Sequence, residues 1–252
     1  MIRLFLVADI AKSKLPIEEG YERMLRLLDR LKTISLHFEH WFLIPESARQ
    51  KSFSLTEQSK VQEIIARRCE ARAKDTPNLP FAGGFSAELT NVGTDQEWRQ
   101  PGSVALMYQP DMGDIRFEMK RPEDVLGSNT RQIIEDVLFA ICELEDVTFA
   151  CCNVSERILA TGKVQTYQID FSPFFPHRKF FGWMGFVPRA LNRKDVPEAA
   201  SLKIVPKKGT LLVAVDDVFD LNNPAQIRAA HELEMKLVDL DLLPVTDPNF
   251  LS

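Results

Sequence analysis

Apolar residues along this chain recur at two periods, and four segments carry the helical one. Pro16 opens the first; Glu18 and Glu19 suit its positive end, and Tyr21, Met24, Leu25, Leu28 and Leu31 form an apolar stripe, predicting a helix over 16–32. Ser54-Leu55-Thr56-Glu57 matches a capping box and predicts a helix over 57–74, with Val61, Ile64, Ile65 and Cys69 inward and Arg67, Arg68 and Arg72 in solvent. Asn129 is placed to cap a third, 129–144, whose inner face is Ile133, Ile134, Val137, Leu138 and Ile141. Asn222 or Asn223 caps the fourth, 223–240, with Pro224 in its first turn and Ile227, Ala230, Leu233, Leu237 and Val238 packed inward.

Between these helices the pattern is that of strands, at 2–9, 34–38, 41–43, 85–92, 103–108, 114–119, 147–154, 162–171, 179–187, 200–205 and 210–215. Gln109-Pro110-Asp111-Met112-Gly113 and Pro206-Lys207-Lys208-Gly209 have hairpin composition. Helices mixed with hairpins predict an α+β fold, a largely antiparallel or mixed sheet packed by about four helices. No linker is rich enough in Pro, Gly or Ser to divide the chain, so a single domain over 1–252 is expected, the alternative being a boundary in the loop at 93–102. The densest apolar stretch is Phe174–Pro188, FFPHRKFFGWMGFVP. It reads as a core strand entered through a turn at Pro173 and Pro176, with a bulge or close backbone approach at Gly182 and Gly185. The alternative is a groove lined by Trp183 and His177.

The net charge of −5 over 252 residues argues against a general nucleic-acid or membrane binder, because phosphate backbones need clustered Lys and Arg. Cys69, Cys142, Cys151 and Cys152 include no CxxC pair, which predicts reduced, buried thiols and a cytoplasmic protein. The apolar run Leu4–Ile10 is interrupted by Asp9 and followed by Lys12 and Lys14, too short and too charged for a signal peptide. No run spans a bilayer.

Charge is unevenly spread. No Lys or Arg lies between Gln132 and Arg157, a span with Glu135, Asp136, Glu143, Glu145, Asp146 and Glu156. From Asp216 onward the acids are Asp216, Asp217, Asp220, Glu232, Glu234, Asp239, Asp241 and Asp247, opposed by Arg228 and Lys236. The segment from Lys163 to Lys208 is basic. Such a pattern is either a solvated helix face with turn carboxylates or a docking surface for a basic partner. Asp216, Asp217 and Asp220 could hold Mg²⁺ in a hydrolase, although Asp also serves in turns before helices. Glu234 and Lys236 resemble a nuclease pair but fall mid-helix, where positions two apart diverge. Cys151 or Cys152 with His177 could form a nucleophile pair, but buried thiols are inert.

Trp41, Gly182-Trp183-Met184, Val215-Asp216-Asp217, Phe219-Asp220, Asn222-Asn223 and Leu240-Asp241-Leu242-Leu243-Pro244, in that order, resemble the immunity protein 52 family of bacterial polymorphic-toxin systems. The resemblance is strongest over 174–244. It implies a non-enzymatic protein without cofactor, metal or catalytic residue, which protects its producer by binding a cognate toxin, here a nuclease effector of type VI secretion. It implies no direct contact with nucleic acid or membrane. The expected toxin contacts are Asp216, Asp217, Asp220, Glu232, Glu234 and Asp239; the alternative is a metal-dependent hydrolase or nuclease using the aspartate cluster.

Overall fold

The computed structural model describes residues 2–47, 51–78, 81–158, 161–171, 175 and 177–246. The chain is α+β and groups into two compact units, Asp9–Lys120 and the larger pair Met1–Ala8 with Arg121–Ser252. Pro173, Phe174, Pro176 and Asp247, singled out in the sequence, lie outside the described residues.

In the smaller unit the strands are β2 (Phe42–Leu43), β3 (Phe53–Ser54), β4 (Ala87–Thr90), β5 (Val104–Gln109) and β6 (Asp114–Lys120), ordered β6-β5-β4-β2-β3 in antiparallel pairs. Helices α1 (Ile17–Lys32) and α2 (Gln58–Asp75) carry buried stripes. In α1 the stripe is Tyr21, Met24, Leu27, Leu28 and Leu31, so Leu27 takes the place expected of Leu25. Arg68 and Arg72 are half-buried and paired rather than free in solvent. Arg68 donates to Glu46 and the Ile44 carbonyl, at 3.0 and 2.8 Å, and Arg72 bonds Ser86 and the buried Asp111.

Two expectations fail here for a common reason. Residues 36–38 form a 3₁₀ turn, because the Ser35 hydroxyl accepts the His37 amide and offers the backbone an alternative to a strand. The capping box expected at Ser54 does not form: Ser54 lies in β3 and its hydroxyl accepts the Thr56 amide. A capping box exists instead at Thr94 and Glu97, on the short helix α3 (Asp95–Trp98).

The larger unit contains β1 (Ile2–Ile10, as far as Ala8), β7 (Val147–Arg157), β8 (Val164–Thr166), β9 (Met184–Val187), β10 (Ser201–Val205) and β11 (Gly209–Val213), ordered β10-β11-β9-β7-β1, with β8 on β7. The β7–β9, β9–β11, β10–β11 and β7–β8 pairs are antiparallel. Its helices are α4 (Glu123–Leu126), α5 (Thr130–Leu144), α6 (Tyr167–Asp170) and α7 (Pro224–Asp239). The four long helices are the four expected; the short α3, α4 and α6 are additional. Asn129 precedes α5 but makes no side-chain cap. The strand expected over 162–171 stops at Thr166, whose hydroxyl accepts the Ile169 amide and starts α6.

The strand expected over 179–187 is shortened to four residues by Gly182, at φ 73°. A Cβ there would sit 1.9 Å from Asn153 Oδ1. Asn153 sits on the other side of this bulge. Its Nδ2 donates to the Phe181 carbonyl and its Oδ1 accepts the Trp183 amide, both at 3.0 Å. Trp183 is fully buried, with its indole N–H donating to the Val215 carbonyl at 3.1 Å. From Phe181 to Val187 the aromatic stretch is therefore core, and Trp183 walls no groove.

Candidate interaction surface

The acidic residues singled out in the sequence fall on the larger unit, and the structure sorts them by partner. On α5, Asp136 meets Lys203 of β10 at 3.1 Å, and Arg131 lies 2.7 Å from Glu135. Asp146, just past the helix, meets Lys208 of the β10–β11 turn at 3.7 Å. Burial pushes the Glu135 carboxyl above the usual carboxylate range, against the pull of Arg131 and Lys203. Much of this acidic run is thus neutralised within the fold.

The later acids differ. Asp216, Asp217 and Asp220 are exposed in the connection from β11 to α7. Asp216 takes a second bond from Arg131, at 3.2 Å. Asp220 accepts the Asn222 amide at 2.9 Å, an Asx turn that leads to Asn223, whose side chain accepts the Ala225 amide and caps α7 with Pro224 in its first turn. Along α7 the exposed residues Arg228, Glu232, Met235 and Asp239 are spaced four, three and four apart, which puts them on one stripe. Among the described residues, Asp217, Glu232 and Asp239 have no ion-pair partner.

Glu234 does not belong with them. It is 3% exposed and points inward, so it is removed from the expected contact surface. Its Oε1 accepts the Phe181 and Gly182 amides at 2.5 and 3.1 Å, and its Oε2 accepts the Tyr167 hydroxyl at 2.9 Å. Burial pushes this carboxyl up, while those three donors pull it down. Sequence reasoning missed this role, although the signal was present: Ile227, Ala230, Glu234 and Leu237 lie on one helical face.

The enzymatic alternatives find little in the geometry. Asp216 is turned to Arg131, Asp220 is engaged in its own turn, and no group of three or more His, Cys, Asp or Glu is placed to hold a metal among the described residues. Cys152 is fully buried, and burial raises its thiol well above the ordinary value, the reverse of nucleophile activation. Glu234 faces the core while Lys236 is half-buried, so they share no site. No described helix is long and apolar enough to cross a membrane.

Comparison with known proteins bears on this surface. No curated protein matches the chain. Among solved structures it is similar to a Pseudomonas aeruginosa T6SS protein, at 13% identity and a TM-score of 0.53, with 94% of this chain and 76% of that chain covered. At that identity the likeness shows a shared fold alone. The model of the family described as Immunity protein 52 matches residues 10–245. With that match running almost end to end, the chain belongs to the immunity protein 52 family.

Proposed function

We propose that this chain neutralises a cognate secreted toxin by binding over it in the cytoplasm, and that it catalyses no reaction. Family membership supports the toxin partner. The fold shared with a T6SS protein supports delivery of that toxin by type VI secretion. The buried, free thiols agree with a reducing compartment. A nuclease is the toxin class that fits best, since a DNA-cutting domain must present a basic cleft and the chain offers the opposite charge.

One observation carries the placement of the contact. Asp217, Glu232 and Asp239 stand in solvent without internal partners, while Glu135, Asp136 and Asp146 are already matched by cations. Asp216 and Asp220 border the same surface. The test titrates the toxin domain encoded beside the gene, inactivated at its active site, against the chain and its Asp217→Lys/Glu232→Lys/Asp239→Lys variant at several salt concentrations. The variant should bind at least about tenfold more weakly, roughly 1.4 kcal/mol, with a flatter salt dependence. Equal affinity rejects this surface; no binding by the unsubstituted chain rejects the toxin partner.

A further inference from the structure

Building on that function, we infer that the toxin anchors an apolar side chain, flanked by lysine or arginine, in a groove of the larger unit between the α6 turn and the start of α7. The groove measures about 500 Å³, and Phe171, Leu221, Pro224 and Ile227 give it an apolar lining. That volume falls in the range of clefts that bind, roughly 300–1,000 Å³. Beside it, Ile169 is 80% exposed on the short segment between Gln165 and Phe171, which both line the groove.

The rim selects the occupant. Asn222, which lines the groove, donates to Glu156 at 2.7 Å and to Asp220 at 3.3 Å. Gln165, also lining it, stands opposite Glu156 in the β7–β8 register, on the same face. Arg228 and His231 also line the groove, and Glu232 is exposed one turn beyond Arg228. At the rim Glu156, Asp220 and Glu232 outnumber the Arg228 guanidinium, a balance that repels nucleic acid and disfavours a second copy of a chain whose net charge is already −5. The groove suits a basic element with an apolar tip. Buried anchors of this kind govern dissociation, whereas rim charges govern encounter.

Binding kinetics separate the two. Inactivated toxin domain is flowed over the immobilised chain and over the groove variants Gln165→Trp and Ile169→Ser, with melting temperatures and light-scattering masses of the free proteins recorded alongside. The expected result is a dissociation rate raised at least tenfold in the groove variants, with association nearly unchanged, and the reverse pattern in Glu232→Lys/Asp239→Lys. Ile169 is solvent-exposed, so its variant keeps the fold even if the tryptophan is not accommodated. Unchanged dissociation in a folded groove variant, with tight binding by the unsubstituted chain, overturns the groove and leaves the proposed function standing. A mass change in the free chain caused by the groove variants makes a second copy the occupant and overturns it as well. No binding by the unsubstituted chain overturns both.

Discussion

Glu234 holds the main chain at the Gly182 bulge, from a helix rather than from a neighbouring strand. The bulge at Gly182 leaves the Phe181 and Gly182 amides facing inward, and a single carboxylate oxygen accepts both. Removing the carboxylate strands these two buried amides and the Tyr167 hydroxyl, so Glu234→Ala should lower stability by about 3 kcal/mol in urea unfolding. Glu234→Gln keeps an oxygen for the amides and turns its NH₂ toward the Tyr167 hydroxyl, and it should lose less than about 1.5 kcal/mol. The two differ further in pH dependence. Burial raises the native carboxyl above its unfolded value, so the native state binds the proton more tightly. Stability therefore falls as pH rises from the ordinary carboxylate range through the raised native value, and Glu234→Gln should flatten this part of the curve. Asp111 and Glu135 are raised for the same reason and will keep part of the slope. Asp170 acts in the opposite sense. The Thr166 amide holds it low, and its contribution is lost as pH falls through that lowered value.

At the scale of elements, what was legible is what each segment states by itself. The long helices follow from their own 3.6-residue stripes; Pro224 after Asn222-Asn223 marks the start of α7 in the sequence, and the structure makes Asn223 the cap. Replacing that cap, Asn223→Ala, should lower stability by about 1 kcal/mol and speed amide exchange in the first turns of α7. The strands at 34–38 and 162–171 were misread because alternation does not register a competing side-chain cap at Ser35 or Thr166. The surface was half legible for a related reason. Acidic runs can be counted in sequence, but which acids are already neutralised depends on Arg131, Lys203 and Lys208 arriving from distant elements. Glu234 was misplaced because its charge was given more weight than its position on the apolar face of α7.

At the scale of the molecule, the chain's excess of acid falls mostly on the larger unit, which also carries the proposed contacts. That unit draws β1 from the beginning of the chain and everything else from beyond Arg121, whereas Asp9–Lys120 is continuous. A fragment spanning 121–252 should therefore show no cooperative thermal unfolding when produced alone, because β7 then lacks its β1 neighbour, until a peptide of residues 1–10 is added. Circular dichroism melts of the fragment with and without the peptide check both outcomes.

During translation this arrangement sets a clock. The first strand leaves the ribosome with its β7 neighbour more than a hundred codons away, which at about 5–20 residues per second is a wait of many seconds. Until then an apolar segment whose Leu4, Leu6 and Ala8 end fully enclosed is without that cover. Under the proposed function, protection would rest on finished copies and not on nascent ones, so the supply must run ahead of the threat.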